Sequence, residues 1–296
     1  MIKVTFLGTS GSMPSKTRNL PSISIEYNGG IYLLDCGEGT QRQMLKYSLN
    51  ISKIKAIFIS HIHGDHVIGI AGLVRTLALN KRQLPLYIFV PKGYENAILQ
   101  LLTFDKAMIS FKIEIRPIVG GTIFKEREFD VSAVKLSHSV PTYGFIFREY
   151  DKVHFIEEKA KEAGLKGDMF SDILRKKYLK INNKIIRLKD ITYKEKGVKI
   201  VYITDTRPVP RINKEIYGAD LLIHEATFAK NEGKLAIERK HSTSEEAAMI
   251  ALKAKVGKLV LMHVSSRYKS TTKILKEAKL IFDNTLIAKD GMVINL

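Results

Sequence analysis

The sequence predicts an α+β fold, an αβ/βα four-layer sandwich in which two facing sheets are covered by outer helices, and an inserted basic arm. Three observations predict it. Strand-like and helix-like segments alternate in two rounds along the chain. Several of the strand segments are short enough to lie buried in a sheet. Polar residues able to hold metal recur just past strand ends, where a sheet rim gathers residues distant in sequence.

Taken in order, 2–7, 22–27 and 31–35 read as strands, with Asn28-Gly29-Gly30 as the turn between the second and third. Helices are expected over 39–49 and 68–80, and further strands over 55–60, 86–90, 111–117, 131–137 and 143–148. The second round places strands at 199–204, 221–224 and 258–263. Helices follow at 243–255 and 270–282, the first opened by the capping box Thr243-Ser244-Glu245-Glu246. Residues 151–190 break the pattern with a dense run of Lys and Arg, including Lys166, Arg175, Lys176 and Lys177. This stretch reads as an inserted flexible arm on a catalytic domain made of 1–150 and 191–296, although the charge run alone fits an ordinary solvated helical hairpin equally well.

With 296 residues, 45% of them hydrophobic, the chain can bury a large core. Forty-eight Lys and Arg against thirty Asp and Glu leave a net charge of +18, which favours a polyanionic partner, a membrane surface or nucleic acid. No run approaches the roughly 18 to 20 apolar residues that span a bilayer, and the start Met1-Ile2-Lys3-Val4-Thr5-Phe6 reads as a strand and not as a signal peptide. A cytoplasmic protein is expected. One cysteine, Cys36, excludes an intrachain disulfide framework and a thiolate zinc cluster, so any metal falls to His and Asp.

The densest chemistry is His61-Ile62-His63-Gly64-Asp65-His66, directly after the apolar run Ile57-Phe58-Ile59. In an extended segment, side chains at i and i+2 project the same way, so His61 and His63 can close on one ion. Gly64 permits a sharp turn, after which Asp65 and His66 can face a second ion or the rim of the first. His138, Asp205 and His263 each follow a strand candidate and complete a two-metal set. Asp205 suits a bridge, since a carboxylate can hold two cations at once. Imidazole and carboxylate without thiolate suit Zn2+ best, with Mn2+ or Fe2+ compatible with the same ligands.

His-x-His-x-Asp-His after a strand, with the later His138, Asp205 and His263, resembles the metallo-β-lactamase fold superfamily. Within it the chain resembles tRNase Z (ribonuclease Z), the endonuclease family that removes 3′ trailers from precursor tRNA. The likeness rests on Phe6-Leu7-Gly8-Thr9-Ser10-Gly11, Pro14-Ser15-Lys16-Thr17-Arg18-Asn19 and Asp35-Cys36-Gly37-Glu38-Gly39-Thr40. Further segments are Asp205-Thr206-Arg207-Pro208, His224-Glu225-Ala226-Thr227-Phe228, His241-Ser242-Thr243 and His263-Val264-Ser265-Ser266-Arg267-Tyr268. It covers nearly the whole chain.

The resemblance implies a binuclear site, with His61, His63 and His138 on one Zn2+, Asp65, His66 and His263 on the other, and Asp205 between them. It makes Asp65 the proton acceptor and places His241 to help the leaving 3′ oxygen, with Glu225 as a residue that orients His241. It also implies a homodimer whose arm holds tRNA on the partner subunit, with Lys166, Arg175, Lys176 and Lys177 as arm contacts. Here the arm carries Gly164-Leu165-Lys166-Gly167 and lacks the Gly-Pro pair common in that family. Near the metals, Lys16, Arg18 and Asn19 are expected to hold the acceptor end, and Thr227 and Phe228 to line the 3′ subsites. Without tryptophan, base stacking falls to Tyr and Phe. The competing expectation is a small-molecule phosphodiesterase on the same scaffold, which needs the metals but neither the arm nor His-Ser-Thr.

Overall fold

The computed structural model describes residues 1–103 and 109–296, which form two compact units: Met1–Phe147 with Lys199–Leu296, and Arg148–Val198. In the larger unit, alternation of large apolar residues along each strand builds two seven-stranded sheets. The first runs in space as Val293–Asn295, Lys3–Gly8, Ser22–Tyr27, Gly30–Leu34, Ile54–Phe58, Leu86–Pro91 and Ile113–Ile118. Its last four strands are parallel, each register continuing from Leu34↔Phe58 through Phe58↔Phe89 to Phe89↔Arg116. The second runs as Thr285–Ile287, Leu259–Met262, Leu221–Glu225, Lys199–Ile203, Tyr143–Glu149, Phe129–Lys135 and Gly121–Lys125.

Period-two patterning decides which side chains meet. Ile31, Leu33, Ile57, Ile88 and Val90 pack on the helix side of the first sheet. Their neighbours Tyr32, Phe58 and Phe89 point the other way and meet Phe124, Phe129, Phe145 and Phe147 of the second sheet, ring centroids 5.0 to 6.2 Å apart. In the second sheet Val201 and Ile203 face helices while Tyr202 faces inward and donates its hydroxyl to Asp35 of the first sheet at 2.7 Å. An aromatic layer thus glues the sheets. Helix Gly69–Leu79 buries Ile70, Leu73, Val74 and Leu77, an i, i+3, i+4, i+7 stripe. Helix Ser244–Lys253 begins at the capping box that its sequence announced, Thr243 accepting from Glu246 N while the Glu246 carboxylate accepts from Thr243 N.

Most expected elements lie within a residue or two of their observed ends. The helix expected over 39–49 stops at Lys46, and several elements went unread, among them helix Glu95–Thr103 and strand Gly121–Lys125. The helix has only Ile98 and Leu102 buried, too short a stripe to register as periodic. The strand opens on the pair Gly120-Gly121, both at positive φ, which reads as a loop.

The smaller unit, Arg148–Val198, is no bare hairpin. Leu165, Ile173, Leu188 and Ile191 form its own small core. Helices Glu157–Glu162 and Met169–Lys176 pack there with the antiparallel hairpin Tyr178–Ile181/Lys184–Arg187, and the ribbon Lys152–Phe155/Thr192–Glu195 closes the unit. Among the described residues no helix is long and apolar enough to cross a membrane.

Candidate metal centre and active site

The site grows from strand ends. After Ile54–Phe58 the chain continues through Ile59 and Ser60 into His61, wholly buried, and turns at Gly64 into a four-residue helix that carries Asp65 and His66. Two glycines allow the approach of backbone this needs. A Cβ on Gly37 would stand 2.4 Å from the Asp65 carbonyl oxygen, and one on Gly69 would stand 2.0 Å from that of Gly37.

His61, His63, His138 and Asp205 present one donor atom each within 4.8 Å of one another, and so do Asp65, His66 and His263. Asp205 faces both groups with different oxygens. Its Oδ2 lies 3.7 Å from His61 Nε2 and 3.8 Å from His138 Nε2, while its Oδ1 lies 3.5 Å from His66 Nε2 and 3.2 Å from His263 Nε2. Asp65 Oδ2 accepts from Ser12 N at 2.9 Å and stands 3.5 and 3.6 Å from the Nε2 atoms of His66 and His263.

The outward nitrogens of these rings are fixed by partners behind them, a common arrangement around metals. His138 Nδ1 donates to the Lys240 carbonyl at 2.9 Å, which puts the neutral ring's lone pair on Nε2. That Nε2 is buried without a hydrogen-bond partner. His66 Nδ1 donates to Asp35 Oδ2 at 2.7 Å, and His263 Nδ1 meets Thr227 Oγ1 at 2.9 Å. Asp35 also accepts from Ser60 N and Oγ at 2.7 and 2.9 Å, so one buried carboxylate ties both sheets and the His61-to-His66 turn together.

Charge explains why such a cage wants cations. Burial alone would raise the Asp205 pKa, but His263, His66 and His61 hold it well below the carboxylate range. Burial opposes a charge on His66, yet Asp35 and Asp205 outweigh it and push its pKa up to about 10. Burial and the neighbouring His66 hold His61 well below an ordinary imidazole. Three carboxylates, Asp35, Asp65 and Asp205, thus draw positive charge into a nearly closed space. The orphaned His138 Nε2 and the 3.1 Å approach of His61 Nε2 to His63 Nδ1 fit a divalent cation better than protons, because two lone-pair nitrogens so placed need a shared acid between them.

Beside the cage stands a second constellation. Glu225, fully buried, accepts from Thr206 N, Ser242 N, Thr227 N and Thr227 Oγ1 at 2.7 to 3.0 Å. It also accepts from His241 Nδ1 at 3.0 Å. Burial would discharge His241, but Glu225 and then Asp205 raise its pKa to about 9. The His241 ring lies 5.0 Å from that of His138 and 5.5 Å from that of His263. Its carbonyl accepts from Arg207 at 2.5 Å, and Arg207 pairs bidentately with the capping-box residue Glu246, so the helix cap braces the ring's backbone.

Other expected site residues sit differently. Thr227 is 4% exposed and its hydroxyl is spent on Glu225 and His263, so it braces the cage instead of lining an open subsite. Phe228 is 3% exposed, with the Arg267 guanidinium 4.9 Å above its ring. Arg18 is half-buried and turned inward, donating to Thr9 Oγ1 and the Ala288 carbonyl at 2.7 and 2.8 Å, and Asn19 donates to Asp290 and to the Glu38 carbonyl. Both anchor their loop; Lys16 alone of the three is exposed. In the smaller unit Lys166, Arg175, Lys176 and Lys177 are all exposed, with Arg175 and Lys176 sharing Asp172 at 2.6 and 3.6 Å. His154 stacks on Tyr193 and pairs with Glu195. Sequence reasoning gave no role to Asp35. For Asp35 the one available signal was its place just past a strand, at the head of Asp35-Cys36-Gly37-Glu38.

Two facing sheets with histidines and aspartates gathered at their rims define a metallo-β-lactamase fold hydrolase whose donors suit divalent metal. Solved structures agree: the Bacillus subtilis metallo-β-lactamase fold protein YhfI is 20% identical with a TM-score of 0.73, covering 99% of this chain and 98% of that one. Human tRNase Z, short form (ELAC1), is 28% identical with a TM-score of 0.72, covering 99% and 98%. A family model described as Anti-Pycsar protein Apyc1 matches residues 2–286. The ribonuclease Z of Thermococcus sibiricus is 42% identical over 299 residues and that of Methanothermobacter thermautotrophicus 39% over 298, each alignment covering 100% of this chain and 97% of the relative. The chain belongs to the ribonuclease Z family.

Proposed function

We propose that this protein is an endoribonuclease that removes the 3′ trailer of precursor tRNA, leaving a 3′ hydroxyl on the tRNA and a 5′ phosphate on the trailer. It works as a cytoplasmic homodimer with two Zn2+ per subunit. The observation that carries the reading, given family membership, is the buried His241–Glu225 pair beside the cage. Metal ligands alone serve any hydrolase of this fold; a braced, charged imidazole at their edge serves a leaving alkoxide.

In this reading His61, His63 and His138 would hold one ion and Asp65, His66 and His263 the other, with Asp205 placed to serve both. Bound divalent ions make water acidic near neutral pH and offset charge on phosphoryl oxygens. Asp65, steadied by Ser12 N, takes the proton released by the attacking water. His241, kept protonated by Glu225, gives its Nε2 proton to the leaving 3′ oxygen. The exposed Lys166, Arg175, Lys176 and Lys177 bind tRNA backbone away from the cut, since phosphate easily displaces solvent-exposed pairs such as Arg175 with Asp172.

Zn2+-loaded protein incubated with a 3′-extended tRNA should cut just after the discriminator base, and metal analysis should return two ions per chain. Hydrolysis of a small phosphodiester such as bis(p-nitrophenyl) phosphate with no cleavage of any 3′-extended tRNA would replace this reading by the small-molecule one.

A further inference from the structure

A cavity of about 590 Å³ opens on the loop between the cage and helix Thr272–Lys279. Its wall starts one residue past the ligand candidate His263, at Val264–Ser265, which pair in parallel with Ser10–Gly11. Lys16 and Lys269 both line it, and Ser15, Ser266, Ser270 and Thr271 contribute hydroxyls. No carboxylate is among its described lining residues. Arg18 lines it too, with its Nη1 already donating to Thr9 Oγ1 and the Ala288 carbonyl. Tyr268, its one aromatic, is committed too, its hydroxyl accepting from Ala229 N at 2.9 Å.

That lining has a definite chemistry. Lysine ammonium groups and hydroxyls bind a phosphate oxygen from any direction, whereas base recognition needs a free stacking face or a paired donor and acceptor. The neighbouring cavity across the same loop is different: Asp290 forms part of its wall, and Gln43 is committed to that carboxylate and to the Leu7 carbonyl. Lys16, Arg42 and Lys46 also line that second cavity, but only on the Lys269 side are the described lining residues free of carboxylate.

Resting on the RNA-cleaving reading above, we propose that this cavity is a second anion site that holds a backbone phosphate of the RNA flanking the scissile one, with Lys269 as a principal ligand. The site reads charge and no base. It grips substrates whatever their sequence next to the cut, and it assigns binding roles to Lys269, Ser266, Ser270 and Thr271.

Lys269 is exposed, with a side chain that can be shortened without opening the core. In Lys269→Ala the loss should fall on KM and not on kcat, and the slope of log affinity against log salt should drop by about 0.7, the share of one single-strand phosphate contact. Lys269→Arg should restore both, and Lys253→Ala, the same charge loss on a distant helix, should change neither. Neutral methylphosphonate placed singly on either side of the scissile bond then locates the contact. The wild type should lose affinity at one position and Lys269→Ala should not respond there. Sensitivity on the 3′ side assigns the phosphate to the trailer, on the 5′ side to the acceptor end. Unchanged KM and salt slope in Lys269→Ala, or a variant as sensitive as wild type at every position, would overturn the site while wild-type cleavage left the RNA reading standing. A wild type that cuts no precursor tRNA removes both.

Discussion

Replacing Glu225 by glutamine tests the centre of the mechanism with almost no change of shape. Glu225 is the leading charged cause that lifts His241 from an ordinary 6.5 to about 9. That gap, at about 1.4 kcal/mol per pH unit, is roughly 3 kcal/mol of preference for the charged ring. Asp205 supplies part of it, and bound cations neutralise that part, leaving Glu225 to hold the proton. With the charge gone, His241 returns towards 6.5, and at about pH 7.5 its protonated fraction falls from nearly all to roughly one tenth. The variant should lose about tenfold in kcat at that pH and recover in part as pH falls to about 6.

The amide also places an NH2 against one of the donors Thr206 N, Ser242 N or Thr227 N, a cost of about 1 to 3 kcal/mol in stability. Thermal unfolding must therefore be followed beside the rate. For stability the sign is fixed by linkage. A histidine whose pKa is raised by folding adds stability that is complete below about pH 6.5 and lost as pH rises towards 9, and Glu225→Gln should remove that pH dependence. The assay is single-turnover cleavage of a 3′-extended tRNA from about pH 5.5 to 9.5. A basic limb that stays at its wild-type pH in a folded variant would refute the assignment of His241 as proton donor.

Asp65→Ala or His66→Ala should abolish turnover and cost at least one bound ion, read by metal analysis on folded protein, and chelation of the wild type should do the same until metal is restored. Excising 157–189 and joining the ribbon Lys152–Phe155/Thr192–Glu195 by a short glycine link should weaken tRNA binding and flatten its salt dependence, with hydrolysis of a small phosphodiester retained. Unchanged tRNA affinity would show that the basic unit is not a tRNA site. Gly69→Ala forces a Cβ to 2.0 Å from the Gly37 carbonyl oxygen; it should cost about 1 to 3 kcal/mol in denaturant unfolding and lower kcat by displacing the Asp65–His66 turn.

In the sequence alone most of the element pattern and the candidate donors were already legible. Alternating strands, the capping box at Thr243 and the stripe Ile70, Leu73, Val74, Leu77 are local features, and local features survive in one dimension. The six residues from His61 to His66 carry their chemistry on their face for the same reason. Only the tertiary structure decided how the two rims meet. Asp205 offers its two oxygens to two histidine groups because Lys199–Ile203 and Ile54–Phe58 end facing each other across the aromatic layer, a register that no single strand encodes. It also turned Thr227 and Arg18 inward, since a hydroxyl or guanidinium looks the same in sequence whether it faces RNA or a buried partner. Asp35 shows the limit most clearly: its worth lies in Ser60, His66 and Tyr202, three partners that only folding brings to one carboxylate.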